Sequence, residues 1–278
     1  MYEPKRIPDL PHLTVPIGAM RYGAMHCRDA IDRADPTIDP LHIHGYLEIF
    51  VSVDAEVSFL VNDTVYPVGR GDALISRPGD VHVCIFPRSA AYDYYCLWIE
   101  ADYSSPVFAF LKEEGFSPLR RLSTAKKQQL ALALERLCAL TGSEADAVGA
   151  PMLLLSVLSL LSGAESEQTH AAELPARLYE IIRFVQRDFP KIRSTADITE
   201  RFFISTSTLN RLFRTHLHTT PHAYLEAQRL SCAISMLEGG ASVTEAACES
   251  GFSDTSHFIQ TFKKKFGQTP RRYQKREG

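Results

Sequence analysis

The sequence predicts an α+β chain with two domains: an N-terminal antiparallel β jelly-roll barrel followed by helices, and a C-terminal all-α domain of two tandem helix-turn-helix units. Three observations lead to this prediction. Short β-rich runs separated by turn residues fill residues 41–100, helical stripes dominate from residue 125 onward, and the C-terminal region contains one motif twice. A chain of 278 residues is long enough for two domains, each with its own core.

Charge divides the chain in the same way. Residues 175–278 contain 16 Lys and Arg against 10 Asp and Glu, a net charge of +6, and the remaining residues contain 14 against 23, a net charge of −9. Only the C-terminal part therefore has the positive charge expected of a protein that binds phosphate groups. The acidic part would be repelled by nucleic acid and is predicted to have another role.

Residues 1–40 are rich in Pro and Asp and predict an irregular arm with one strand near Arg21–Cys27. From Leu41 onward, short β-rich runs alternate with turns such as Asn-Asp and Pro-Gly-Asp. The predicted strands are Glu48–Val53, Ala55–Val61, Val65–Val68, Ala73–Ser76, His82–Phe86 and Tyr92–Glu100. Their close spacing favours an antiparallel barrel, a fold that often encloses a ligand-sized cavity.

Two helices are predicted after the barrel, over Ala125–Leu140 and Pro151–Leu161. The second helix is apolar nearly all round, so it must be covered by the rest of its domain or by a second subunit. A small, polar segment follows, and we predict that it is a linker. The predicted domains are residues 1–162 for effector binding and dimerisation, residues 163–174 as linker, and residues 175–278 for DNA binding.

The cysteine pattern and the N-terminus both favour a cytoplasmic protein. The six cysteines form no Cys-x-x-Cys pair, and in a chain of this length they are predicted to be buried free thiols. The N-terminus lacks the apolar core of a signal peptide. The longest apolar run, Met152–Leu161, is too short to span a bilayer, so we expect no membrane contact.

The stretch Ser205–Arg214 has the composition of a helix that reads DNA. Ser205 can cap the helix, and Leu209 and Phe213 fall on one apolar stripe. The opposite face carries small hydroxyls, the amide of Asn210 and the guanidinium of Arg211, and Arg and Asn are the side chains that bind guanine and adenine through paired hydrogen bonds. An ordinary surface helix could have the same face, so this stretch alone does not decide.

A second copy of the motif favours a DNA-binding helix over an ordinary surface helix. FRTHLHTTPHAY, beginning at Phe213, recurs 49 residues later as FKKKFGQTPRRY, beginning at Phe262. Upstream, ITERFFIS from Ile198 parallels AACESGFS from Ala246 at an offset of 48, so one residue is inserted at the second turn. Two related helix-turn-helix units in tandem are a specific signal.

The run from Tyr224 to Tyr273 resembles the DNA-binding half of AraC-type (AraC/XylS) transcription regulators, and the resemblance covers roughly residues 175–275. It implies two recognition helices that enter successive major grooves on one face of double-stranded DNA. It also implies a homodimer formed through the helices after the barrel, and activation of transcription through RNA polymerase.

The two units carry different side chains at the predicted DNA surface. The pair Asn210-Arg211 of unit one corresponds to Ile259-Gln260 of unit two, where the resembling family commonly has small polar and basic residues. We therefore predict that unit one sets specificity and that unit two contributes mainly phosphate contacts. The residues predicted to contact DNA are Thr206, Ser207, Thr208, Asn210, Arg211, Arg214, Thr255, Ser256, Ile259, Gln260, Lys263 and Lys264.

One further difference concerns the ends of the recognition helices. His218 stands where unit two has Gly267. A helix-ending residue in the left-handed conformation costs more free energy for His than for Gly. We therefore expect the first recognition helix to end differently from the second.

A polar cluster is predicted in the barrel. His42 and His44 lie on one face of a strand, Glu48 follows four residues later, and His82 follows a turn. Over residues 41–100 this resembles the cupin signature, whose four positions hold a divalent metal in cupin enzymes, and three imidazoles with a carboxylate are suitable ligands.

Three uses of this cluster remain open: a metal site, contacts to a small and sugar-like effector, or a structural role. For an effector, the candidate residues are His42, His44, Glu48, His82, Tyr46 and Trp98, the last two as an aromatic wall. The same His and Glu residues are the metal candidates, and the sequence specifies no other cofactor.

The expected function is a DNA-binding transcription regulator, acting as an activator, that a small molecule controls through the barrel. We do not expect an enzyme. The alternative is a metal-dependent cupin enzyme with an appended DNA-binding module, which rests on the four cluster residues alone because no other acid–base pair or cofactor loop is evident. A third possibility is an adaptor that binds DNA without a ligand and uses the barrel only to dimerise.

Overall fold

The computed structural model describes residues 20–31, 41–140, 146–166 and 174–277. Most of the predicted N-terminal arm and residues 167–173 of the predicted linker lie outside them. The N-terminal part contains the predicted strands with bounds shifted by at most a few residues, and two short strands after residue 100 that were not predicted. The strands are β1 Arg21–Ile31, β2 Leu47–Ser52, β3 Val57–Val61, β4 Thr64–Val68, β5 Ala73–Ser76, β6 His82–Ile85, β7 Ala90–Glu100, β8 Leu119–Arg121 and β9 Glu165–Ser166.

These strands form two antiparallel sheets, as the barrel prediction requires. The larger sheet has the order β1-β7-β2-β5-β8-β9, and the smaller has the order β4-β3-β6. The sheets pack through apolar side chains that alternate along the strands, such as Phe50 of β2 and Phe59 of β3, whose ring centroids are 4.9 Å apart. Alternate residues of β2 point to the other side, where helices cover them, so nearly all of this strand is buried.

The helices α1 (Thr124–Ala139) and α2 (Asp146–Ser162) cover the outer face of the larger sheet, together with a 3₁₀ helix at Pro106–Lys112. The predicted start of α2 at Pro151 is wrong, because the helix begins five residues earlier. Proline removes only one hydrogen-bond donor, and its fixed φ angle is compatible with a helix near its N-terminal turns. Glu165 and Ser166, inside the predicted linker, pair with β8 as a short strand.

The C-terminal part of the described chain is helical, as the sequence predicts, and it ends in a helix that was not predicted from the sequence. They are α3 Ala176–Asp188, α4 Thr195–Phe202, α5 Thr206–Leu217, α6 Pro221–Glu238, α7 Val243–Glu249, α8 Thr255–Phe266 and α9 Pro270–Glu277. The N-caps of α5 and α8 are Ser205 and Asp254, 49 residues apart, whereas the upstream helices match at 48. The extra residue of unit two therefore lies in its turn, as the sequence indicates.

Phe203 does not have the predicted role. The apolar residues Ile198, Phe202 and Phe203 predict that all three belong to α4, but Phe203 follows the helix in the left-handed conformation, with φ of 51°, and is 90% exposed. The corresponding residue of unit two is Gly251, with φ of 82°, and a side chain there would clash with Pro190. The turn between the two helices of each unit thus requires a positive φ, and unit one meets this requirement with a strained aromatic residue.

The C-terminal helices cover the outer face of the smaller sheet. Every residue of β3 and β6 is buried, because one face of these strands lines the barrel and the other packs on the helices. Leu60 and Val83, for example, belong to the same apolar cluster as Leu209 and Ile234. The backbone N–H of Leu41 donates to the carbonyl of Leu217 (3.4 Å), which extends this contact to the segment before β2.

Two smaller expectations have mixed outcomes. None of the six cysteines, all of which the structure describes, forms a disulfide, but Cys248 is exposed on α7, so the prediction that all are buried is wrong. A short, half-polar helix leaves room for a solvent-facing thiol. Within the described residues, no helix is long and apolar enough to cross a membrane.

Replacing the strained aromatic residue tests the account of the first turn. We expect Phe203→Gly to raise the free energy of unfolding by about 0.5–1 kcal/mol, because glycine removes the left-handed penalty and almost no buried area is lost. Urea denaturation measures the change. Phe203→Ala, which keeps a Cβ atom at the same φ, should give no such gain, and a Gly variant that is less stable than the natural protein would contradict the account.

Candidate functional site

The first recognition helix, α5, is fixed by its cap and its apolar stripe. The side-chain oxygen of Ser205 accepts a hydrogen bond from the backbone N–H of Thr208 (3.1 Å), and Leu209 and Phe213 are fully buried. The predicted DNA-binding residues on the remaining faces stay accessible: Thr206, Ser207, Arg211 and Arg214 are exposed. In the described part of the chain, no hydrogen bond or ion pair holds the guanidinium of Arg211, so it can take a new partner without breaking an existing contact.

Two candidates on this helix are less available. The side-chain amide of Asn210 donates to the carbonyl of Thr206 (3.0 Å), and the hydroxyl of Thr208 lies 2.9 Å from that of Ser205. Both residues are half-buried. A base contact by Asn210 therefore requires that its amide exchange one hydrogen bond for another, which reduces the net gain in free energy.

The second recognition helix, α8, presents a different surface. Asp254 caps it by accepting a hydrogen bond from the backbone N–H of His257 (2.7 Å). Four predicted residues are exposed, and they are Ser256, Gln260, Lys263 and Lys264. Thr255 is half-buried, and Ile259 is half-buried and packs against the apolar core. Ile259 therefore exposes only part of its side chain for an apolar contact with a base, such as a thymine methyl group.

His257 is an accessible residue that the sequence reasoning missed. It is exposed on the first turn of α8, and its ring packs edge-on against Phe252. The offset of 49 between the units places it opposite Thr208, which was a candidate. That correspondence is the signal that could have identified it.

The two recognition helices end alike, so the expectation that the first ends differently is wrong. Each has 12 residues, and each is followed by a residue in the left-handed conformation: His218 with φ of 48° and Gly267 with φ of 70°. Histidine is one of the residues that tolerate this conformation better than most, so α5 keeps the same end at some cost in free energy.

The four predicted cluster residues come together at one end of the barrel. The Nε2 atoms of all three imidazoles converge on one carboxylate oxygen, Oε2 of Glu48, at 2.9 Å from His44, 3.6 Å from His82 and 3.8 Å from His42. All four candidate ligand atoms lie within 4.8 Å of one another. His42 and His82 also exchange backbone hydrogen bonds of 2.9 and 3.0 Å, which fixes the two segments together.

Burial controls the charge of the cluster. Burial lowers the pKa of His44 to about 4, against the opposing effect of the Glu48 carboxylate, so this imidazole is neutral at pH 7. Burial would raise the pKa of Glu48, but the three imidazoles around its carboxylate outweigh that effect and hold the pKa well below its usual range. The site therefore contains a buried carboxylate, and no Lys or Arg pairs with it among the described residues.

The side chains fit a divalent transition-metal ion. Three imidazole nitrogens and one carboxylate oxygen are the ligand types that such ions prefer, and their mutual distances can contract around a single ion. His82 supplies an independent indication: its ring is fully buried, and its Nε2 atom has no hydrogen-bond partner in the part of the chain that the structure describes. A buried nitrogen without a partner is costly unless something binds it.

The predicted aromatic wall lies beside the cluster. The ring of Tyr46 stacks on that of His44 with centroids 3.7 Å apart, and Trp98 is the direct cross-strand neighbour of Glu48, on the same face of the sheet. Deeper inside, the space between the sheets is occupied by packed apolar side chains. The polar cluster and its aromatic neighbours thus form the end of the barrel that can take a polar ligand.

Comparison with known sequences identifies the family. Residues 26–182, more than half of the chain, match the family described as the AraC-like ligand binding domain, and residues 198–276 match the family described as a helix-turn-helix domain. The chain belongs to the AraC family. It is a DNA-binding transcription regulator with an N-terminal ligand-binding domain, as the resemblance in the sequence indicates.

Two curated AraC-family relatives cover most of the chain. YbfI, an HTH-type transcriptional regulator of Bacillus subtilis, is 27% identical over 221 residues, which are 78% of this chain and 80% of YbfI. RhaS, an HTH-type transcriptional activator of Salmonella arizonae, is 27% identical over 246 residues, which are 84% of this chain and 86% of RhaS. Both are named as regulators of transcription.

Solved structures align with the chain only loosely. ToxT from Vibrio cholerae covers 92% of this chain and 96% of its own, with 12% identity and a TM-score of 0.38. An AraC-type regulator from Chromobacterium violaceum covers 37% of this chain and 92% of its own, with 29% identity and a TM-score of 0.34. The roles of individual side chains therefore rest on the contacts within this chain.

The packing of Ile259 leads to a prediction about stability. We expect Ile259→Ala to lower the free energy of unfolding by about 1–2 kcal/mol, because a half-buried side chain loses apolar contacts. Thermal or urea denaturation measures the loss. Gln260→Ala, at the exposed neighbouring position, should change stability by no more than about 0.5 kcal/mol. Equal effects of the two substitutions would show that Ile259 does not support the core.

Proposed function

We propose that this AraC-family regulator activates transcription from specific DNA sites when a small polar molecule binds at the polar end of its barrel. One observation carries the proposal. Two capped helices of equal length bury their apolar stripes and leave polar and basic side chains free on the outside, as helices that enter the major groove must. Activation is supported by the name of the relative RhaS, an activator.

Within the DNA-binding surface, we assign sequence reading mainly to α5. Arg211 is exposed, and no hydrogen bond or ion pair among the described residues holds its guanidinium. The matching position of α8 is Gln260, which follows Ile259, a residue that packs against the core. Arg214, Lys263 and Lys264 are exposed charges suited to phosphate contacts, which position a protein on DNA without reading bases. Thr206, Ser207, Thr255, Ser256 and the unforeseen His257 lie on the first turns, where a recognition helix approaches base edges.

The effector site that we propose is the polar end of the barrel. The polar cluster of His42, His44, Glu48 and His82 lies at this end, and Tyr46 and Trp98 offer aromatic surface beside it. This combination suits a small, sugar-like molecule. The packed interior of the barrel is the one observation that favours an adaptor without a ligand, but it does not explain the buried polar cluster at its end.

An enzymatic role is not favoured. The curated relatives are named as regulators, and the cluster provides the only group of candidate metal ligands that the described residues bring together. We also propose that the protein acts in the cytoplasm, where DNA and RNA polymerase meet.

A homodimer is proposed on the surface formed by α1 and α2. A groove of about 570 Å³ runs between these helices, lined by Leu132, Leu153 and Leu160 among others. Leu132 is 50% exposed and Met152 is 64% exposed, which is unusual for large apolar side chains. A second copy of the same surface would cover them.

The test of DNA reading is selection of genomic fragments by the full-length protein at near-physiological salt. We expect enrichment of a few intergenic sites in the presence of the effector. Arg211→Ala should weaken binding to these sites by about 1–3 kcal/mol and relax one base position, because it removes a bidentate base contact. Arg88→Ala, which removes an exposed arginine from the barrel, is the matched control and should bind normally.

Two results would contradict this assignment. If Gln260→Ala reduces discrimination more than Arg211→Ala, then α8 rather than α5 sets specificity. If neither the full-length protein nor residues 174–278 alone enriches any site, the chain does not read sequence.

The dimer is tested by light scattering after size exclusion. We expect the double variant Leu132→Glu and Met152→Glu to be monomeric at concentrations where the natural protein is dimeric, because it places charges on the apolar surface. Glu135→Lys, a charge change on α1 outside the groove, should leave the dimer intact. A double variant of unchanged mass in solution would place the interface elsewhere.

A further inference from the structure

In the cluster at the end of the barrel, the protons of two imidazoles lie on Nδ1, which leaves lone pairs on Nε2 that a cation can bind. The Nδ1 atom of His44 lies 2.9 Å from the carbonyl oxygen of Tyr46, and that of His82 lies 3.0 Å from the carbonyl oxygen of Asp80. A carbonyl can only accept, so each Nδ1 must carry the proton. A neutral imidazole has a single N–H, so both Nε2 atoms present lone pairs to the centre of the cluster.

The lone pair of His44 then faces another acceptor. Its Nε2 lies 2.9 Å from Oε2 of Glu48, a distance that requires either a second proton or a cation between the two atoms. The four ligand atoms lie within 4.8 Å of one another, so a single cation can bridge this pair and reach the other two ligands. The Nε2 of His82, fully buried and without a hydrogen-bond partner among the described residues, has the same need. Backbone carbonyls that hold Nδ1 are also the usual outer partners of metal-binding histidines.

The segments that carry these ligands are the ones that contact the DNA-binding half. The carbonyl of Gly79 accepts a hydrogen bond from Ser231 on α6 (2.6 Å), and its backbone N–H donates to the carbonyl of His44 (2.9 Å). Gly79 also packs so closely on Ile234 that a side chain there would begin 3.3 Å from it. Gly45, which directly follows His44, packs in the same way on the ring of Tyr273.

We propose that His42, His44, Glu48 and His82 bind one divalent transition-metal ion, and that this ion fastens the DNA-binding helices to the barrel. The ion links the segment around Gly45 to the segment around Gly79, and these two segments form the surface on which α6 and α9 pack. Loss of the ion releases both segments and weakens the packing of α6 and α9 on them. The consequence for transcription rests on the proposed function, whereas metal binding and its coupling to docking do not.

The metal is tested on full-length protein that has been stripped with a chelator and titrated with Co²⁺. The chain has one tryptophan, Trp98, beside Glu48, so its fluorescence should be quenched as Co²⁺ binds. We expect one ion per chain by elemental analysis, a visible absorption band, and displacement by Zn²⁺. Glu48→Gln and the partly exposed His42→Ala should each weaken binding at least about tenfold. No stoichiometric binding, or affinity unchanged in both variants, would overturn the proposal.

The coupling between the metal site and the DNA-binding helices is tested by one substitution on α6. Ser231→Glu places a carboxylate against the carbonyl of Gly79 without touching a ligand, and we expect it to weaken Co²⁺ binding by about fivefold or more. Ser235→Glu, the same change at an exposed position of α6, should bind Co²⁺ normally. Equal affinity in the two variants would overturn the coupling. Because the titration uses no DNA, its failure is distinct from a failure to enrich genomic sites.

Discussion

The contact between the smaller sheet and the C-terminal helices is the constraint on which the rest of the structure depends. A two-sheet barrel needs one face of each sheet for its own core, and the larger sheet covers its second face with α1 and α2. Among the described residues, no helix of the N-terminal part covers the smaller sheet, and the DNA-binding half takes that place. At roughly 25 cal/mol per Å² of buried apolar surface, this shared core makes separation of the two parts costly.

This arrangement places the polar cluster next to the contact between the barrel and the DNA-binding helices. The histidines lie on the segments that flank the shared core, so a ligand that orders these segments also orders the surface on which α6 packs. Allosteric control needs a differential interaction with two states. The docked arrangement of the structure is one of them, and the proposed control requires a released DNA-binding half as the other. The recognition faces of α5 and α8 point away from the core in the docked state, so docking controls their placement and leaves their side chains accessible.

Much of the fold follows from local sequence patterns. The strands from β2 to β7 are marked by β-rich runs between turn residues, and the helices of both units are marked by stripes such as that of Leu209 and Phe213. The cluster of His42, His44, Glu48 and His82 was also found, because its spacing matches a known signature. The structure brings the candidate ligand atoms of all four residues within 4.8 Å of one another.

What the sequence did not show depends on contacts between distant segments. The uninterrupted run Val57–Val61 fits a strand buried on both faces, but nothing local tells which element covers the second face. Likewise, Phe203 looks like a core residue, because the periodicity of α4 does not reveal that the turn needs a positive φ at that position. The partial burial of Ile259 and the exposure of His257 depend on how α8 is rotated against the core, which apolar spacing fixes only coarsely.

The measurement that tests the central claim most directly is hydrogen exchange of the full-length protein, followed by mass spectrometry, with and without Co²⁺. The account predicts that peptides covering Leu41–Tyr46 and β6 exchange more slowly when the ion is bound, and that peptides of α6 slow with them. Slowing confined to the cluster, with α6 unchanged, would contradict the claim that the barrel end and the DNA-binding helices form one coupled unit.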